Sequence, residues 1–365
     1  MTNFIKNNLL LSSHSDESYK QLLRSNSDTI RIARVLCIFM MTYAHVSLFS
    51  NGALESSAYL SSIKNVLINL FARSSVPLLS VISGILMVAF FSNRSIVGAI
   101  RARFKTLMIP FFTWSIIGLC IAELTGRADN YDGSNLLYIL DGSYYIQLIF
   151  LRDIFIVSCL TPLIIYLARK FNVLFLVCII LLVAFVDMAP FIMRGQILLY
   201  FVFGIYIALY RTENLFRSKS IIYFIVVSIL VLFSIQLIQP FYPKTMLFLS
   251  SDYFTNIIVR PVCALSFFYL AYYLSSFVQL KDMLIKHIEP AIFIMFLSHV
   301  LFSNIIGSIY SHLPILHTPI LYFMVWITIP AGALAAAIIV NKYLYLLPRF
   351  ISLLLTGKES KKVII

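Results

Sequence analysis

The stretch ARVLCIFMMTYAHVSLF, residues 33–49, reads as one membrane-crossing helix whose only basic side chains are Arg34, near its inner end, and His45, eleven residues later. A helical span needs about 20 mostly apolar residues. Reading outward on that scale gives ten segments, roughly 32–51, 74–92, 106–123, 145–168, 172–189, 195–211, 220–240, 255–277, 288–308 and 319–341. The fold class expected is therefore an all-α integral membrane protein of about ten transmembrane helices. Composition agrees: 61% of the 365 residues are apolar, 12% are charged and the mean hydropathy is +0.93, whereas about a quarter of a soluble protein is charged. Alternating apolar and polar ten-residue segments, the mark of an outer-membrane barrel, are missing.

A net charge of +13 in a soluble chain would point to nucleic acid. In a membrane protein it points first to the excess of Lys and Arg in cytoplasmic loops. With the N-terminus inside, Lys64, Arg73, Arg127, Arg194 and Lys244 fall outside, Arg152 and Arg260 fall within spans, and the other 21 of the 28 basic residues fall inside. That bias predicts both termini in the cytoplasm, with an arm over 1–29, a ten-span domain over 30–345 and a cytoplasmic tail over 346–365. The first thirty residues hold no apolar core followed by a small-residue cleavage site, so the first span is expected to act as the targeting signal.

Residues 54–73 place Leu60, Ile63, Leu67 and Leu70 at helical spacing, which predicts a helix lying along the outer interface. The loops 125–143 and 241–253 combine carboxylates with aromatic rings, a chemistry suited to sugars. All five cysteines lie in apolar runs and read as small buried hydrophobes, with no metal site.

Ionisable residues inside spans are costly, so they are the functional candidates. Eleven residues separate Arg34 from His45, a rise of about 16 Å with a turn of only about 20°. One face of the first span thus carries a fixed cation near its inner end and an imidazole near mid-membrane. This suits a ligand with an anionic head at the inner surface and a reactive end at the bilayer centre. Ser83-Gly84 in the second span and His299 in the ninth fall near the depth of His45, Gly84 permitting close approach of a helix or ligand and the two imidazoles sharing proton transfer. Arg103 and Lys105 add charge at the inner rim, where they can anchor the span or bind phosphate. Arg152 and Asp153 are neighbours pointing about 100° apart on the fourth span, so each is expected to need a different partner.

With these residues in place the chain resembles acyltransferase family 3, membrane enzymes that move acyl groups from a coenzyme A thioester to cell-envelope sugars. The resemblance rests on Arg34 and His45 with ten residues between them, on Val76-Pro77 leading to Ser83-Gly84, on the basic run to Arg103-Phe104-Lys105 before Pro110, on Leu151-Arg152-Asp153 before Pro162-Leu163, and on His299. It covers roughly 30–345. Where the family carries an acid three residues before the arginine, this chain has Arg31, and Lys105 stands for the second arginine before Pro110.

The resemblance implies an O-acyltransferase of a bacterial inner membrane, the acetyl group being the commonest cargo. Acyl-CoA is the donor co-substrate, its phosphates held by Arg34, Arg103 and Lys105. His45 is the catalytic base on a hydroxyl of an envelope or exopolysaccharide sugar, Ser83 and His299 position groups or assist proton transfer, and Arg152 and Asp153 contact substrate. Direct transfer and a covalent acyl-histidine both remain open. Buried Arg and His also fit a transporter of lipid-linked sugars or small molecules, although no internal repeat or inverted pair of broken helices is present.

Overall fold

The computed structural model describes residues 27–46, 57–92, 94–124, 146–185, 193–210, 219–238, 259–312 and 318–358. Among them all regular structure is helical. Each of the ten apolar segments coincides with a helix: α1 (Ser27–His45), α3 (Ser75–Ser92), α5 (Ile109–Leu124), α6 (Ile149–Phe171), α7 (Val173–Phe185), α8 (Gly195–Tyr210), α9 (Lys219–Ile238), α10 (Arg260–Ser275), α12 (Glu289–Ser311) and α13 (Pro319–Tyr343). Shorter helices complete the chain: α2 (Ala58–Val66), α4 (Ile96–Arg103), α11 (Val278–Met283) and α14 (Arg349–Thr356).

Five helical runs, Tyr59–Phe91, Ile96–Leu124, Ile149–Phe171, Val278–Tyr310 and Pro319–Tyr343, are long and apolar enough to cross a membrane. Others fall short for physical reasons. The 13 residues of α7 rise only about 20 Å against a hydrocarbon core of about 30 Å, and the 19 residues of α1 carry Asp28, Arg31 and Arg34.

Three of the long runs join two helices through a single wide turn. The turns Leu67–Ala72, Phe104–Met108 and Leu284–Ile288 are π-helical, and backbone bonds spanning five residues close them: Arg73 N–H to Ile68 O, Ile109 N–H to Phe104 O and Glu289 N–H to Leu284 O. Pro110 and Pro290 stand immediately past the second and third turns. Proline has no N–H to donate back along the helix, and a one-residue widening absorbs that break without ending the run. Of the segment 54–73, the described residues run through the first wide turn into α3 as one continuous helical run, with Val66 and Leu70 buried against Val259 and Cys263. The arm over 1–26 and the loops 125–143 and 241–253 lie outside the described residues.

The described residues divide into two compact units, 27–79 with 219–341 and 80–210 with 342–358. In the first, α1 packs along α10 and α12. In the second, α6 packs against α7 and α8, and α14 against α5. The α6–α7 connection is nearly a single residue: Asn172 adopts φ 43°, a positive φ that is uncommon outside glycine and for which asparagine is enriched.

Candidate functional site

In the unit built from 27–79 and 219–341, α1 and α12 share two polar contacts. At one end Arg31 Nη2 donates to Glu289 Oε2 at 3.1 Å and Arg34 Nη1 lies 3.8 Å from Glu289 Oε1. Lys281 Nζ pairs with Asp28 at 3.3 Å, and the guanidiniums of Arg31 and Arg34 remain more than one-third exposed. At the other end the rings of His45 and His299 stand with centroids 5.4 Å apart. From Arg34 to His45 is about 16 Å of helix and from Glu289 to His299 about 15 Å. The two helices therefore run parallel and in register, a charged contact at one end and an imidazole pair at the other.

His299 is completely buried. Its Nδ1 lies 2.8 Å from Phe296 O and 3.2 Å from Met295 O. Carbonyls only accept, so Nδ1 carries the proton and, in the neutral ring, Nε2 holds a lone pair. That Nε2 is buried and, among the described residues, has no hydrogen-bond partner. His45 is only half-buried, so of the two rings it is the one a substrate can meet. Ile38, Met41 and Thr42, which lie between Arg34 and His45, are buried.

Beside this pair stands an aromatic wall. Tyr43 donates its hydroxyl to Ile327 O at 2.9 Å and meets Trp326 at 5.0 Å between centroids. Lys64 Nζ donates to the Tyr322 hydroxyl at 3.3 Å and lies over the Tyr322 and Trp326 rings. Lys64 is thus not a loop residue, as the charge count had it. A long aliphatic stem lets its ammonium reach a buried ring system.

The unit built from 80–210 and 342–358 holds the other sequence candidates. Ser83 is half-buried, and the glycine beside it does what its type predicts. A Cβ on Gly84 would fall 2.1 Å from Phe201 O, and one on Gly204 2.1 Å from Val81 O. The backbones of α3 and α8 are in direct contact through two glycines.

Arg103 Nε contacts Met87 Sδ at 3.0 Å, and its guanidinium and that of Arg94 lie 4.6 and 4.5 Å from the Phe90 ring. Lys105 is exposed. Phe104 meets Phe155 at 5.9 Å, so the basic turn packs on the first two turns of α6, the part that carries Arg152 and Asp153.

Those two residues correct the expectation of separate partners. Arg152 Nε and Nη2 both donate to Asp153 Oδ1, at 3.2 and 3.0 Å, and Arg194 Nε donates to Oδ2 at 2.8 Å. The arginine stem is long enough to fold back across the 100° that separates adjacent side chains. Asp153 is fully buried with both oxygens engaged. Among the described residues no three His, Cys, Asp or Glu gather as a metal site.

Sequence reasoning missed Glu289, Tyr43, Trp326, Lys64 and Arg194 as members of these clusters. Glu289 had one available signal: it is an acid just before Pro290 at the start of an apolar run, where a charge needs a reason.

A family model described as an acyltransferase domain, acyltransferase family 3, matches residues 28–341, and the chain belongs to that family. It is an acyltransferase of the membrane, which selects group transfer over the transporter reading. Neither the curated proteins nor the solved structures compared with it gave a match.

Proposed function

We propose that the protein is a bacterial inner-membrane O-acyltransferase that moves an acyl group, acetyl in the simplest case, from cytoplasmic acyl-CoA to a sugar hydroxyl of an envelope or exopolysaccharide. The observation that carries this reading is the His45–His299 pair, one ring accessible and the other presenting a buried Nε2 that has no hydrogen-bond partner among the described residues.

His45 takes the proton of the acceptor hydroxyl as its oxygen attacks the thioester carbonyl. The C–O bond forms, the C–S bond breaks, and the leaving thiolate takes the proton back from His45. His299, anchored by two carbonyls, offers Nε2 to an N–H of His45 and so orients the base and supports the imidazolium that forms, as a third group does in other activated pairs.

The donor's phosphates suit Arg34, which Glu289 holds only loosely at 3.8 Å; Arg103 and Lys105 keep the donor-phosphate role that the family resemblance gives them. Ser83 is read as a positioning hydroxyl, and the Arg152–Asp153 cluster as support for the substrate-facing end of its own unit. Ten crossings with both termini in the cytoplasm, favoured by the 21 inside Lys and Arg, complete the reading.

The test is reconstitution in liposomes with radiolabelled acyl-CoA inside and polysaccharide outside. Label appearing on alkali-sensitive esters of the glycan, with stoichiometric release of free thiol, is the expected result. Movement of the saccharide across the bilayer without thiol release would overturn it.

A further inference from the structure

The last described helix, α14, is not a free tail. Trp114 Nε1 on α5 donates to Leu355 O at 3.0 Å, and the helix ends in a built turn. Gly357 adopts φ 67°, and its N–H donates to Leu353 O at 2.7 Å, the bond of a left-handed helix cap. Ser352 Oγ donates to Lys358 O at 3.0 Å, and Lys358 N donates to Thr356 Oγ1 at 3.3 Å, so the chain beyond the glycine is folded back and fixed.

What this turn rests on decides its meaning. A Cβ on Gly357 would fall 2.7 Å from Thr106 Cα and 2.8 Å from Lys105 O and Thr106 O. All three atoms are backbone and cannot rotate aside. Glycine is required here twice over, for its positive φ and for the closeness of the approach.

The backbone it touches is the wide turn Phe104–Met108. A π turn lacks the tight bonding of the helix around it and is the natural place for the run Ile96–Leu124 to bend. The helix lies beyond residues 28–341, which the family model matches. It is seated on the turn that bears Lys105.

We propose that α14 and Gly357 form a clasp that sets the conformation of the turn 104–108 and thereby positions Lys105 toward the acyl donor. The proposal rests on the reading of Lys105 as a donor-phosphate contact. Gly357 touches no reacting group; it is a positioning residue.

Two measurements on the full-length protein test this. In Gly357→Ala, amide exchange over 104–108 should speed up while that over 201–206, at the α3–α8 glycine contact, stays as in wild type; faster exchange at both would mean general loosening and overturn the clasp. In the same variant the KM for acetyl-CoA should rise about tenfold, the scale of one charge-assisted contact, with kcat held. Trp114→Phe, a milder change that removes only the bond to Leu355, should move both readings in the same direction by less. An unchanged KM in Gly357→Ala, beside a raised KM in Lys105→Ala, overturns the clasp alone. An unchanged KM in Lys105→Ala overturns the donor-site reading beneath it, whatever the exchange shows.

Discussion

Asp153 and His299 are both fully buried, each on a 23-residue helix, and the structure treats them in opposite ways. Asp153 has each carboxylate oxygen on a guanidinium. His299 has one nitrogen tied to two carbonyls and the other, a lone pair in the neutral ring, with no hydrogen-bond partner among the described residues. A buried charge that is paired and hydrogen-bonded can be tolerated as architecture. A buried acceptor without a partner costs about 1–3 kcal/mol and calls for an explanation beyond packing. On the proposed reading, the contrast separates an acid that holds the fold from an imidazole that is open to chemistry.

The strongest way to break the contrast is at the imidazole pair. His45→Ala should lower acyl transfer by about 10²–10⁴-fold, the usual contribution of a general base, while the melting temperature in detergent stays near that of wild type. Transfer from radiolabelled acyl-CoA and a thermal melt on the same preparation read both quantities. Retained transfer would remove His45 from the mechanism.

Asp153→Ala should show the reverse. It removes the buried acid that binds both Arg152 and Arg194, and losing one member of a buried pair costs about 3–5 kcal/mol. The protein should be less stable and poorly recovered, with activity per folded molecule falling far less than in His45→Ala. A stable but inactive Asp153→Ala would move this cluster into the chemistry and erase the distinction.

Much of this was legible in the sequence, because the bilayer allows few solutions. Each apolar run on the scale of a span coincides with a described helix, five of the described helical runs are long and apolar enough to cross a membrane, and the scarcity of charge made Arg34, His45 and His299 conspicuous. That His45 and His299 meet follows from similar depth, which can be counted along a helix. What could not be counted was how charges pair between helices. Arg31, standing where the family has an acid, finds Glu289 258 positions away, and nothing local to either residue announces the match.

The wide turns were equally hidden, since a one-residue widening leaves the apolar pattern almost unchanged while joining segments that look separate. Arg152 was misjudged because the angle between adjacent side chains was weighed without the reach of the arginine stem.

The charged end of the α1–α12 seam sharpens the contrast further, since it is paired yet loose. Arg34→Ala should raise the KM for acyl-CoA roughly 10- to 100-fold, the range for a charge-assisted hydrogen bond, with kcat nearly unchanged. Glu289 keeps Arg31 as its closer partner at 3.1 Å, so no acid is stranded and the melt should barely move. An unchanged KM, measured by initial rates over a range of donor concentrations, would place Arg34 with Asp153 among the structural charges.

The smallest effects separate two adjacent residues. Gly84→Ala drives a methyl into Phe201 O across the α3–α8 contact, and overpacking of this kind costs about 1–3 kcal/mol; the loss should appear in the melt. Ser83→Ala removes only a hydroxyl from a half-buried position, so stability should hold while transfer falls by about tenfold or less, on the scale of one neutral hydrogen bond. Because both changes sit on one turn of one helix, general damage to α3 would move the two readouts together. If Ser83→Ala lowers the melt and spares the rate, the hydroxyl belongs to the packing that Gly84 makes possible, and chemistry at this depth rests on the imidazoles.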